Sequence, residues 1–431
     1  MKSVHFTLSS AIALLSFVYC QTIDEYVDVD CEYQRGGAVC NCQYSSEFMK
    51  LPQLNGNHRY ITVRDCEHFM VPADSLRDLA QINLLQFESI SKLIISEFSF
   101  NSSRSRPSIR IEINNCSLPA LPAHFFKGVL DDFMIKDSNI TRIHMFALTG
   151  IFGEITAFKI HNSAIGQVDT QAFRKLSIDT LEILNTSFLR NTVSKTFYDC
   201  HIKNIVILNS HFTMLMSSAF DVKEVERMRI LDSTFGFIES EAFMMDIADR
   251  ATFENNTVEM MHRNAFKGIT INTNVPRTRT GNVYFALHNN QINFIHPIDD
   301  MSFGPSIQLQ LSKLYFRSPQ NCESVNKIYE SKFFNDNAHA IYVRLENEDE
   351  NFNSISYLNE RCRDDSKWFL YLLIATAVIV FLVIMIPAIF CYMRHRRREK
   401  QLDLIMPEPR TYRQTHIVMQ IENSGLIKTD F

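Results

Sequence analysis

Apolar residues recur along this chain as apolar–x–apolar pairs. They are Ile111/Ile113, Phe133/Ile135, Phe158/Ile160, Leu181/Ile183, Ile205/Ile207, Met228/Ile230 and Ala251/Phe253, at intervals of 22, 25, 23, 24, 23 and 23 residues. Each pair reads as one short strand with one face buried. A unit of this length cannot bury its apolar side alone, so the pattern predicts neighbours stacked into a solenoid. The register resumes at Phe285/Leu287 after 34 residues and at Leu309/Leu311 after 24. The extra residues predict a protruding loop over 272–282. There Arg277 and Arg279 either meet an acidic partner or belong to a solvated, protease-sensitive loop.

Each unit has the same grammar. In IRIEINNCSLPALPAHFFKGV the strand pair is followed by Cys116 at an inward turn position, then by Leu118, Leu121 and Phe126. Later units place Ser163 or Ser233 at that turn and end in an Ala-Phe pair (172–173, 219–220, 242–243, 265–266) that packs under the next turn. Over roughly residues 60–312 this resembles the extracellular leucine-rich repeat family. The chain departs from that consensus by using Ile, Phe and Met for many leucines, and Ser, Thr or Cys for most inward asparagines. Small hydroxyls still bond the turn backbone, although a continuous Asn ladder is lost. The resemblance implies an α/β solenoid: a horseshoe of about nine repeats over 71–312, a cysteine cap over 21–70, and a reduced C-terminal cap and stalk over 313–366. A parallel β-helix is the structural alternative.

An open solenoid end exposes an apolar cross-section, which a disulfide-stapled cap covers. The resemblance implies bonds Cys31–Cys42 and Cys40–Cys66, whereas four cysteines by themselves allow three pairings. Toward the other end Cys322 and Cys362 predict a single bond. Cys116 and Cys200 read as buried thiols packing as small hydrophobes, with a reactive or intermolecular thiol as the alternative.

Two apolar segments set the compartment. Lys2 and the short run Phe6–Tyr19 predict a signal peptide over 1–20, cut before Gln21; an uncleaved anchor is disfavoured by the short run. Trp368–Tyr392 holds 25 residues without a charge, enough to cross a bilayer with some tilt, so a transmembrane helix is expected over 367–392. Trp368, Tyr371 and Tyr392 sit at interfacial positions. Asp364, Asp365 and Lys367 flank one end; Arg394, His395, Arg396, Arg397, Arg398 and Lys400 flank the other. Basic flanks stay cytoplasmic, so a type I plasma-membrane protein with an outside N-terminal region and a tail over 393–431 is expected. Residues 21–367 carry 43 acidic and 34 basic side chains, a net of −9, which argues against a nucleic-acid partner. Sequons at Asn101, Asn115, Asn139, Asn185 and Asn255 all fall on the outer side. Cys391, beside the inner face, is a palmitoylation candidate.

Catalytic signatures are missing: there is no HExxH, G-x-S-x-G, G-x-G-x-x-G or Walker loop, and 12 glycines leave little material for phosphate-cradling turns. Cys40-x-Cys42 in an exported chain favours disulfides over metal. No enzyme, metal or cofactor is therefore expected. The 39-residue tail is too short for its own core, and its basic start suits anionic lipid. Thr429-Asp430-Phe431 looks like a PDZ ligand, whose carboxylate would enter a backbone nest. Glu422 to Leu426-Ile427 resembles an acidic dileucine signal.

Residues flanking the buried strand pair should point onto the concave face of such a horseshoe. Leu184, Leu208 and Leu231 then stand on three consecutive turns with Val206 beside them, rimmed by Arg227, Arg229 and Glu182. An apolar centre with a charged rim is where interfaces concentrate their energy. The expectation is a recognition protein, an adhesion molecule or receptor, binding an extracellular protein there. The alternatives are an escort subunit of another membrane protein, or a tethered enzyme or inhibitor.

Overall fold

The computed structural model describes residues 26–403 except 55, 80, 102–106, 273–282, 297–300, 305–306 and 347–350. The signal segment, Arg277 and Arg279, the dileucine residues and Thr429, Asp430 and Phe431 lie outside the described residues. The chain divides into two units, 1–360 and 361–431.

The first unit is a parallel β-solenoid with twelve levels in its front sheet. In chain order the front strands are β1 (Gly37–Asn41), β2 (Tyr60–Val71), β3 (Leu84–Ile95), β4 (Ile109–Leu118), β5 (Leu130–Lys136) and β6 (Glu154–His161). They continue as β7 (Ser177–Leu184), β8 (Phe197–Leu208), β9 (Phe220–Leu231), β10 (Phe243–Glu254), β11 (Tyr284–His296) and β12 (Gln308–Gln320). Every predicted pair falls in one register: Ile111 and Ile113 lie beside Phe133 and Ile135, and the alignment runs unbroken to Phe253, Leu287 and Leu311. The pairs from Ile111 to Leu287 are buried. The ladder also extends upstream through Leu85/Phe87, Ile61/Val63 and Ala38/Cys40, which is why twelve levels stand where about nine were expected.

The solenoid itself is all β, which corrects the α/β expectation: among the described residues the helices are α1 (Cys322–Glu330), α2 (Lys332–Asp336) and α3 (Ile355–Asp403), all after the last level. The Ala-Phe segments cannot coil into helix for two reasons. Phe173 pairs as a strand with Phe197, and the flanking Gln171 and Lys175 hold left-handed backbone, φ 54° each, which ends any right-handed helix. The phenylalanines instead stack from level to level: Phe173, Phe197, Phe220 and Phe243 follow one another at 4.8, 5.1 and 5.7 Å between ring centres. A second stack, Phe188–Phe212–Phe235 at 4.6 and 5.3 Å, fills the core behind the side strands.

The disulfides differ from the pairing the resemblance implied. Cys31 bonds Cys40 and Cys42 bonds Cys66, in place of Cys31–Cys42 and Cys40–Cys66. A hairpin decides this: Cys31–Gln34 pairs antiparallel with β1, turning at Arg35-Gly36, so Cys31 lies directly opposite Cys40 with Cα atoms 4.1 Å apart. Gly36 supplies the turn at φ 93°. Cys322 and Cys362 are both disulfide-bonded. Cys116 and Cys200 are free and buried, and burial pushes each thiol up to about 12, so both are inert packing groups at neutral pH.

At the far end, Phe333 and Phe334 of α2 pack against Phe303 and Phe316, and Ile341–Leu345 adds a strand beside β12. This covers the last cross-section. In the second unit, Trp368–Arg398 of α3 is a helical stretch of 31 residues, long and apolar enough to cross a membrane, ending in exposed Arg394, Arg396, Arg397 and Arg398.

Candidate recognition surface

Two polar columns run along the bend between the front and side segments of each level. The inward column, Cys116, Ser138, Ser163, Thr186, Ser210, Ser233, Asn256 and Asn290, is buried. Its side chains cap the backbone of the preceding level: Ser138, Ser210 and Ser233 Oγ accept from the N–H of Cys116, Thr186 and Ser210 at 3.0, 3.2 and 3.1 Å. The small hydroxyls of the column thus bond the turn backbone from level to level.

The outward column, one residue earlier, escaped the sequence reading. Asn115, Asp137, Asn162, Asn185, Asn209, Asp232, Asn255 and Asn289 all hold left-handed backbone, φ between 48° and 55°. Asn and Asp tolerate that conformation best among residues with a Cβ. Their side chains link level to level, with Asn162 donating to Asp137 at 3.0 Å and Asn185 to Asn162 at 3.0 Å. The sequons Asn115, Asn185 and Asn255 are exposed members of this one column. Asn139 is exposed at the start of a side strand, and Asn101 is half-buried, its amide 3.4 Å from Asp74 Oδ1.

The predicted surface residues come together on the outer face of β7–β9. Leu184, Leu208 and Leu231 lie in register on consecutive strands, and so do Glu182, Val206 and Arg229. The leucines, Val206 and Glu182 are half-buried and Arg227 and Arg229 exposed, so none belongs to the core. At about 4.8 Å per strand the three leucines form a ladder roughly 10 Å long. Beside it lies a groove of about 480 Å3, lined by Glu182, Val206, Arg227, Arg229, Arg250 and Thr252 among others.

The groove is cationic with one cation uncommitted. Arg227 holds Asp249 at 3.2 Å, and the Arg250 guanidinium lies 4.4 Å from the Tyr284 ring centre. Arg229 has no ion pair among the described residues. Glu182 carries a contact to His161 Nε2 at 3.2 Å. Further along the same face is an acidic patch at Glu88, Glu112 and Asp132. Burial, with help from Glu88 and Asp132, raises the Glu112 carboxyl above its ordinary value, against the pull of Arg110.

A second exposed apolar column was missed. Met214, Phe237 and Met260, on the side strands His211–Leu215, Thr234–Ile238 and Thr257–His262, align with Phe294 near the end of β11, with Met260 43% and Phe294 55% exposed. The signal was the apolar residue one place before each buried end position, in F-x-M-L, F-x-F-I, V-x-M-M and I-x-F-I.

No group of three or more metal-ligating side chains occurs among the described residues. No protein-family model matches the chain, and no curated protein matches it either.

Proposed function

We propose that this is a cell-surface recognition protein, an adhesion molecule or ligand-binding receptor of the leucine-rich repeat kind, which captures a protein partner on the front face of its solenoid. The observation that carries the reading is the in-register ladder Leu184, Leu208 and Leu231 beside the uncommitted Arg229. An apolar strip rimmed by charge suits a macromolecular partner. Kinship with leucine-rich repeats is supported by the front strand, the inward Asn, Ser, Thr and Cys column and the terminal Phe of each unit.

We further infer a plasma-membrane protein in type I orientation with its solenoid outside; two N-terminal disulfides and the arginines that end the apolar helix support this. Thr429-Asp430-Phe431 has the residue types of a PDZ ligand and would recruit a PDZ scaffold.

The test is surface display of the full chain. Cells carrying wild type should capture a partner from neighbouring cells or medium by proximity labelling. Leu208→Arg, displayed equally, should lose capture about tenfold, or 1.4 kcal/mol. Equal capture by the variant would move the site elsewhere, and retention inside the cell would mean Leu208 supports the core.

A further inference from the structure

One column of the front face is antisymmetric in charge. From β4 to β9 the residues at one register position are Glu112, Met134, Lys159, Glu182, Val206 and Arg229. Read in order the signs are minus, apolar, plus, then minus, apolar, plus. All six reach the surface, Arg229 exposed and the others half-buried.

We propose that this face docks a second copy of the same chain about a two-fold axis lying parallel to the strands between Lys159 and Glu182. The proposal rests on the reading of the front face as the recognition surface and names its partner. Such an axis keeps each residue's position along the strand and reverses the order of levels. Glu112 then meets Arg229 of the second copy, Met134 meets Val206, and Lys159 meets Glu182; every contact occurs twice, as a closed two-fold pair requires. An axis along the solenoid would instead set Glu112 on Glu112 and Arg229 on Arg229, so charge selects one arrangement.

The neighbouring columns tolerate this pairing. Leu184 would face His161, and Leu208 would face the aliphatic stem of Lys136. Arg110 and Arg227 meet, but each already holds a carboxylate, Asp132 at 2.8 Å and Asp249 at 3.2 Å. The sequons at Asn115, Asn185 and Asn255 sit in the turn column, one residue past Asn114, Leu184 and Glu254. Six levels by three columns span roughly 30 by 18 Å including side chains. That buries on the order of 1,000 Å2 over both copies, near the lower bound for a specific pair. The pair is therefore weak in solution, and effective where many copies share a membrane.

The experiment uses the full chain in single-copy nanodiscs, labelled for energy transfer between discs. Wild type should associate in a concentration-dependent way that weakens in high salt. Arg229→Glu and Glu112→Arg should each weaken association at least ~10-fold, and the double reversal should restore it to within about threefold. Lys159→Glu and Glu182→Lys, singly and together, repeat the logic if a first variant fails to fold, judged by its thermal unfolding. A double reversal no better than the singles overturns the pairing. So does a wild type that stays monomeric up to about 100 μM; if Leu208→Arg still abolishes capture of another protein, the recognition reading survives and only the second copy is excluded.

Discussion

Asn209 donates its side-chain amide to Asn185 Oδ1 at 2.8 Å, and both residues hold left-handed backbone, φ 48° and 50°. The same conformation recurs at every level, because each turn must bend sharply between the front strand and the side strand. The side-chain ladder offsets part of the strain by joining one bend to the next.

Replacing Asn209 by Ala should therefore cost about 1–2 kcal/mol, from left-handed strain and the lost hydrogen bond. Asn209→Gly should cost less, since glycine adopts positive φ freely while losing only the bond. The urea midpoint by far-UV circular dichroism measures both. Equal losses would mean the conformation is not what the site selects.

Glycans should project from one edge. Asn115, Asn185 and Asn255 share the outward column three levels apart, so sugars there line a single side of the front sheet. Glycopeptide mass spectrometry of the mature protein should find these three occupied, and their combined removal as Gln should leave front-face capture intact. Loss of capture with normal display would place the partner on the glycan edge.

Glu112 should titrate above the ordinary glutamate range, because burial and the neighbouring Glu88 and Asp132 disfavour its charge. A carboxyl raised on folding opposes folding at neutral pH, and that penalty is relieved as pH falls through the raised value. Glu112→Gln should accordingly leave neutral-pH stability unchanged or higher, and Arg110→Ala should move the Glu112 titration further up. Side-chain carbon NMR follows both; a Glu112 titrating like an exposed glutamate would contradict the burial.

Much of this architecture was legible as spacing. A pair such as Phe158/Ile160 can alternate in only one way without turning its neighbours outward, so the register of nine levels followed from the chain, and with it the exposure of Leu208 and Arg229. The cysteine bonds were not legible from the resemblance, because the local hairpin at Arg35-Gly36 brings Cys31 to Cys40 whatever the cap of another family does. Of the outward column only the sequons Asn115, Asn185 and Asn255 were singled out, and its backbone conformation was not legible because nothing in spacing reports a left-handed φ. The Met214–Phe294 column went unread because attention to the buried pair of each unit hides what its side strand exposes.

The most direct test of the front face as the recognition surface is site-specific photocrosslinking on living cells. A benzophenone amino acid at Val206 or Leu208 should yield a discrete covalent adduct with the captured protein, and the same group at Met260 on the side column should yield none. Adducts forming from Met260 alone, or equally from all three positions, would contradict the account.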